Sequence, residues 1–176
     1  MHKIIFSIIL FISSTYALSQ ACYSPSSTGV TASASRDGVN VIYDNSSLDS
    51  SVVDYAMGQW NGCSGNVPNL SSNSQTSTGP EVHVSLEQGN APTGKLAKYD
   101  ITYKSITLYT KDSHGNDIPS SDLPFILMHE LGHVFGLDDV AGSNCLMGEG
   151  VPSTNEVSTA DCHAVVDIWR SEYPCQ

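Results

Sequence analysis

The amino-acid sequence predicts an α+β fold, because some stretches are typical of strands and others of helices. Runs of alternating apolar and polar residues predict strands at 39–44, 81–87, 99–103 and 105–110. Three longer stretches carry apolar residues at helical spacing, and they begin near residues 49, 120 and 158. Together these segments suffice for one domain of ordinary size.

Residues 1–19 predict a secretory signal peptide. A lysine near the start precedes an apolar run, Ile4–Ile12, and small residues follow it. The run is too short to cross a bilayer core of about 30 Å, so we expect no membrane insertion. Removal of the segment would leave one secreted domain at 20–176. Cleavage after Ala21, or acylation of Cys22 as in a lipoprotein, are the alternatives.

The composition is acidic, with 18 Asp and Glu against 7 Lys and Arg and a formal net charge of −11. Such a chain would repel polyanions, which excludes nucleic acids and anionic membrane surfaces as partners. Cationic substrates are weakly favoured. We expect the protein to be a monomer.

Cysteine content agrees with an oxidising compartment. Five cysteines follow the predicted signal peptide, at positions 22, 63, 145, 162 and 175. Scattered cysteines outside the cytoplasm predict disulfides rather than a zinc–thiolate site, and an odd number leaves one over. Sequence does not determine connectivity. The pairs we favour are Cys22 with Cys63 and Cys145 with Cys162.

The segments before residue 120 predict scaffold. The first helix has an apolar stripe formed by Val52, Val53, Ala56, Met57 and Trp60, which we expect in the core. A polar stretch at 61–80 predicts a long loop. The segment at 111–117 contains carboxylates and a glycine without the spacing of a calcium loop, so we expect a turn there, with Ca²⁺ binding as an alternative.

The next helix carries the candidate chemistry. Ser120 or Ser121 is expected to cap it, with Pro124 in its first turn. His129 and His133 are four residues apart, so both imidazoles lie on one helix face and can reach one metal ion. The alternative is that the two histidines are an ordinary, partly exposed pair without a metal-binding role.

Three acidic residues surround this pair in the sequence. Glu130 lies about 100° around the helix from His129, which places its carboxylate beside the metal rather than on it. Gly136 predicts a left-handed residue that ends the helix. Beyond that turn Asp139 can supply a third ligand and leave one position for water, which is the catalytic count for zinc. Asp138 is the rival for this role.

The pattern H-E-x-x-H-x-x-G-x-x-D, followed eight residues later by a methionine, resembles the metzincin zinc endopeptidases. The aspartate in third place, where most metzincins have histidine, is similar to the snapalysin group, and the layout resembles matrixin catalytic domains. The resemblance is tight over residues 129–147. It implies that His129, His133 and Asp139 bind one catalytic Zn²⁺, that Glu130 is the general base and that Met147 forms the Met-turn.

The resemblance also implies the architecture and the activity. The fold would be a twisted, mostly parallel sheet with two helices behind it, the second carrying the zinc. A short C-terminal subdomain would hold the Met-turn and a terminal helix. The expected function is hydrolysis of protein or peptide substrates by a secreted zinc metalloendopeptidase. The alternatives are a zinc-stabilised binding protein without turnover and an amidase acting on a non-protein amide.

Overall fold

The computed structural model describes residues 24–25, 38–64, 67–72, 79–141, 145–148 and 154–172, with the last three side chains of helix 159–172 left aside. This part of the chain is a mixed α+β structure with three helices and a mostly parallel five-stranded sheet. The predicted signal peptide at 1–19 lies outside the described residues. Among the residues described, no helix has the length and apolar character needed to cross a membrane.

Seven strands form two sheets within the described residues. They are β1 (Ser24–Pro25), β2 (Val39–Tyr43), β3 (Leu70–Ser72), β4 (Glu81–Asn90), β5 (Ala97–Asp100), β6 (Ser105–Lys111) and β7 (Leu137–Asp138). The larger sheet has the order β3-β2-β4-β6-β5, and all its pairs are parallel except β5 with β6. The short strands β1 and β7 pair antiparallel. Strand β5 is therefore an edge strand next to the last parallel strand.

Alternation along β4 matches the prediction. Val82 and Val84 are buried, whereas His83 and Ser85 are exposed on the other face. A one-residue slip would exchange these faces, so burial of the valines fixes the register.

Two strand predictions were wrong. Strand β5 begins at Ala97 rather than Tyr99, and residues 101–104 form the turn to β6. The Asp100 carboxylate accepts the backbone N–H groups of Thr102 and Tyr103 at 3.1 and 3.3 Å, which stabilises that turn. The predicted loop at 61–80 also contains strand β3, which is too short to produce an alternating pattern.

The helices are α1 (Ser50–Asn61), α2 (Leu123–Val134) and α3 (Thr159–Glu172). Helix α1 begins where the Asp49 carboxylate accepts the Ser51 N–H at 2.8 Å, and its five-residue apolar stripe is buried as predicted. Helix α3 begins with a capping box in which Ser158 and Asp161 accept each other's backbone N–H groups.

Helix α2 has Pro124 in its first turn, as predicted, but its start differs from the prediction. Asp122 is the N-cap residue instead of Ser120 or Ser121, and no side chain caps the helix. Proline needs no partner for a backbone N–H, so the uncapped start costs little. Helix α2 is apolar on nearly all sides because β5 and β6 of the sheet pack against it and α1 packs beside it.

Trp60 joins α1 to α2 at the centre of the core. The indole is fully buried and donates its N–H to the Met128 carbonyl at 2.9 Å. Its ring packs edge-to-face on Phe135, with centroids 5.1 Å apart. This contact fixes the position of α1 against the half of α2 that carries the histidines.

The disulfide pairs predicted from the sequence were wrong. Cys63, just after α1, is bonded to Cys162 in the first turn of α3. Both predicted pairs are thereby excluded, because each used one of these two residues. Cys145 is also disulfide-bonded. The pairing failed to follow from sequence because 99 residues separate the two partners, and only the tertiary fold brings α3 beside the end of α1.

Removal of the Cys63–Cys162 bond should destabilise the protein. Closing a loop of this length restricts the unfolded chain, so we expect the Cys63→Ser/Cys162→Ser variant to lose about 2–4 kcal/mol of unfolding free energy. Urea denaturation measures the loss. Peptide mapping of the unreduced protein is the control, and a Cys63 peptide linked to Cys22 would contradict the pairing.

Candidate metal centre

Two histidines on one face of α2 form the base of the candidate site. The His129 and His133 rings lie edge-to-face with centroids 4.9 Å apart, and both side chains are largely buried. Their spacing of four residues places them one helical turn apart, as predicted. Because α2 is packed on both sides, the two rings are held on a rigid element.

Backbone carbonyls orient both rings. Nδ1 of His129 donates to the Leu146 carbonyl and Nδ1 of His133 donates to the Leu137 carbonyl, each at 2.7 Å. A carbonyl oxygen can only accept, so Nδ1 carries the proton in each ring. In the neutral imidazoles Nε2 therefore bears a lone pair. Metal-binding histidines are commonly oriented in this way.

A sharp turn after α2 brings a carboxylate close to the Nε2 atoms of both histidines. Gly136 has φ of +94°, a left-handed conformation that only glycine adopts without strain. The chain reverses there, and Oδ1 of Asp139 lies 3.0 Å from Nε2 of His129 and 3.3 Å from Nε2 of His133. The structure thus brings together the three residues that the sequence predicted as ligands.

The chemistry of these three atoms fits a metal ion. Two lone-pair nitrogens and a carboxylate oxygen are all acceptors, so their convergence requires a cation, either protons or a metal. Ligands of a tetrahedral ion with bonds of about 2.0–2.1 Å lie about 3.4 Å apart, close to the observed separations. Two imidazoles and one carboxylate form a donor set that suits Zn²⁺.

Glu130 lies beside the cluster. Its carboxylate and the two imidazoles place one atom each within 4.8 Å of one another, so Glu130 is the second carboxylate that could contribute to a metal site. Oδ1 of Asp139 lies 3.0 and 3.3 Å from the two Nε2 atoms, which is well within 4.8 Å. We therefore favour Asp139 as the oxygen ligand, so that Glu130 would lie beside a bound ion without coordinating it.

Electrostatics within the cluster reflect burial and mutual contact. Burial raises the pKa of Glu130, and the charges of His133 and His129 oppose that rise. The two histidines hold the pKa of Asp139 well below its usual range. Burial alone would lower the pKa of His133, but hydrogen bonding to Asp139 and the charge of Glu130 raise it overall. The shift at Glu130 therefore follows from burial, whereas the shifts at Asp139 and His133 follow from hydrogen bonds and charges within the cluster.

The turn at residues 145–148 contacts both His129 and the segment that carries Asp139. Leu146 supplies the carbonyl that binds His129, and the Met147 carbonyl accepts the N–H of Val140, next to Asp139, at 2.7 Å. Met147 is fully buried, as expected of a core methionine. One turn therefore positions both a histidine ring and the carboxylate segment.

Gly132 is a structural residue of the site that the sequence analysis missed. A Cβ atom built on Gly132 would lie 2.4 Å from Sδ of Met147 and 3.4 Å from Trp60. The methionine thus fills the place that a side chain would take on α2. Its position inside the H-E-x-x-H pattern was the available signal, because glycine within a helix usually has a packing reason.

The remaining predicted residues lie elsewhere. Asp138 belongs to β7, where it pairs with Ser24, whereas the short approaches to the histidines come from Asp139. The segment at 111–117 is a turn, as predicted. Both oxygens of the Asp112 carboxylate accept from Asn116, so the turn already uses them. Calcium binding there stays a prediction.

No protein-family model matches the chain, and no curated protein matches it.

Metal retention should distinguish the two neighbouring aspartates. Asp139→Asn removes a charged ligand, so we expect the protein to lose bound zinc during dialysis against a mild chelator. Asp138→Asn, the matched control with the same change of charge, should retain about one zinc per chain. Elemental analysis after dialysis measures both. Loss of zinc from Asp138→Asn alone would contradict the assignment.

Gly132→Ala should destabilise the site from within. The added methyl group displaces Met147, so we expect a loss of about 1–3 kcal/mol in unfolding free energy and weaker zinc binding. Gly58→Ala is the matched control, because Gly58 is also helical but has nothing within 4 Å of its added Cβ. That control should gain about 0.5–1 kcal/mol. Equal stability of the two variants in urea would rule out the close contact.

Proposed function

We propose that the protein is a secreted zinc endopeptidase of the metzincin type, which hydrolyses internal peptide bonds in proteins or peptides. One observation carries the proposal. The Nε2 atoms of His129 and His133 both lie within 3.3 Å of Oδ1 of Asp139, and the Glu130 carboxylate lies beside them. Three protein ligands leave one tetrahedral position for water, whereas purely structural zinc sites use four.

The surroundings of this cluster support the metzincin type. The order of the glycine turn, the acidic ligand and the buried methionine below the helix follows the H-E-x-x-H-x-x-G-x-x-D pattern. The mostly parallel sheet with one antiparallel edge strand is compatible with the same architecture. Residues 20–176 would form the catalytic domain.

A bound metal ion and the side chains of the protein would have separate roles in the reaction. A bound Zn²⁺ would supply a Lewis acid that polarises the scissile carbonyl and increases the acidity of water. Glu130 would accept the proton of the attacking water and deliver it to the leaving amine. Burial raises the pKa of Glu130, which favours its carboxyl group as a carrier of that proton.

Strand β5 favours a peptide substrate over a small amide. It is an edge strand that packs against α2, the helix that carries His129, Glu130 and His133. No strand within the described ranges pairs with that edge. An extended peptide can therefore add to the sheet there and place one of its carbonyls near the histidines.

Secretion is part of the proposal. The Cys63–Cys162 disulfide and the bonded Cys145 are stable in an oxidising compartment outside the cytoplasm. This agrees with the apolar leader at the start of the sequence.

Hydrolysis of casein or gelatin by the purified protein tests the proposal. We expect activity that a chelator abolishes and added zinc restores. Full zinc occupancy without cleavage of any protein would instead favour the binding protein without turnover, and cleavage of small amides alone would favour the amidase.

Glu130→Gln should separate catalysis from metal binding. The variant removes the proton acceptor but leaves the three ligands, so we expect unchanged zinc content and a fall of about 10²–10⁴-fold in kcat. Glu87→Gln, an exposed site on β4, is the control for loss of one negative charge. A Glu130→Gln enzyme that keeps half its activity would exclude Glu130 from the mechanism.

A further inference from the structure

We propose that the short strand β1 positions the metal ligands, through backbone pairing with the strand that leads to Asp139. Ser24 is then a positioning residue of the metal centre, and it acts through its backbone rather than its side chain. This inference rests on the zinc binding in the proposed function, but it does not depend on which bond the protein hydrolyses.

The pairing of β1 reaches the two residues that precede Asp139. Ser24 lies opposite Asp138 and Pro25 lies opposite Leu137, in an antiparallel register. Within the described residues, β1 and β7 form a sheet of their own, and neither pairs with a strand of the larger sheet. The pairing therefore acts directly on the turn that follows α2.

Proline at position 25 determines which backbone groups are used. Residues opposite each other in an antiparallel pair alternate between pairs that exchange two N–H···O bonds and pairs that exchange none. Pro25 has no N–H, so Pro25 and Leu137 cannot exchange two bonds. The alternation therefore assigns the two bonds to Ser24 and Asp138, with each residue donating its N–H to the carbonyl of the other.

The same alternation directs the carbonyl of Leu137 to the metal centre. In a pair that exchanges no hydrogen bond, the backbone groups of both residues point away from the partner strand. The Leu137 carbonyl accepts the Nδ1 proton of His133 at 2.7 Å, and this bond orients the ring. Strand β7 thus binds β1 along one edge and His133 along the other.

The carboxylate ligand lies between two anchored residues. After Asp139, the N–H of Val140 donates to the Met147 carbonyl at 2.7 Å. Before it, Asp138 is paired with β1. Anchors on both sides restrict the backbone of Asp139, so that its Oδ1 atom stays within 3.3 Å of the two Nε2 atoms. Loss of β1 would release one of these two anchors.

The zinc affinity of two variants at one position tests the role of the backbone. Ser24→Pro removes the N–H that binds Asp138, whereas Ser24→Ala keeps it. We expect Ser24→Pro to bind zinc about 10–100-fold more weakly than the wild type, which is the usual effect of losing a group that orients a metal ligand. Ser24→Ala should bind zinc like the wild type. Competition for Zn²⁺ with a chromophoric chelator measures both affinities.

The absorption spectrum of bound Co²⁺ separates positioning from a general loss of stability. At saturating Co²⁺, the bands of Ser24→Pro should differ from those of the wild type, because the geometry of the ligands determines them. The control is Cys63→Ser/Cys162→Ser, which weakens the protein where α1 meets α3. Its Co²⁺ spectrum should match that of the wild type.

Amide exchange in the wild type tests the same link without any substitution. Because the pairing with β1 strengthens zinc binding, zinc must strengthen the pairing by the same factor. We expect saturating zinc to slow hydrogen exchange at the N–H groups of Ser24 and Asp138 by about 10–100-fold, measured by NMR. Gly115 is the control, because its N–H donates to the Asp112 carbonyl at 3.1 Å in the turn at 111–117. Its exchange rate should not change.

Three results would overturn the role of β1 while leaving the metal centre intact. They are a wild-type zinc affinity in Ser24→Pro, an equal loss of affinity in Ser24→Ala, and exchange at Ser24 and Asp138 that does not respond to zinc. Where Ser24→Pro does not fold, the exchange measurement on the wild type decides. A wild-type protein that binds no zinc would instead remove the metal centre and the proposed function, and the role of β1 with them.

Discussion

The structure depends on one electrostatic constraint, which is that three hydrogen-bond acceptors meet at one point. The Nε2 atoms of His129 and His133 both face Oδ1 of Asp139, within 3.3 Å. Without a cation between them these atoms repel one another or must take up protons. The fold nevertheless holds all three, through carbonyls that fix each Nδ1 proton and a glycine that reverses the chain. A metal ion removes the conflict.

The rest of the molecule explains how that arrangement is maintained. Helix α2 is fixed by the core on one side, where Trp60 donates to the Met128 carbonyl. Below the histidines, Met147 fills the space left by Gly132, and its turn holds both a histidine ring and the segment that carries Asp139. Packing and hydrogen bonding therefore converge on the same few residues. A change in the turn at 145–148 would therefore displace two of the three acceptors, those of His129 and Asp139.

Sequence predicted the parts whose cause is local. Helical spacing, the glycine at position 136 and the capping box at Ser158 each depend on a few neighbouring residues, and the structure contains all of them. The disulfide could not be predicted, because only the tertiary fold brings α3 to the end of α1. The limits of β5 were missed because a turn stabilised by Asp100 interrupts a stretch of alternating apolar and polar residues. The role of Gly132 depends on a methionine fifteen residues away.

X-ray absorption at the zinc edge of the purified protein tests the central claim most directly, because it counts and identifies the atoms bound to the ion. We expect about one zinc per chain, with nitrogen and oxygen ligands at about 2.0–2.1 Å and scattering from two imidazole rings. Asp139→Asn should change this spectrum. Sulfur ligands at about 2.3 Å, or a zinc-free protein after incubation with the metal, would contradict the account.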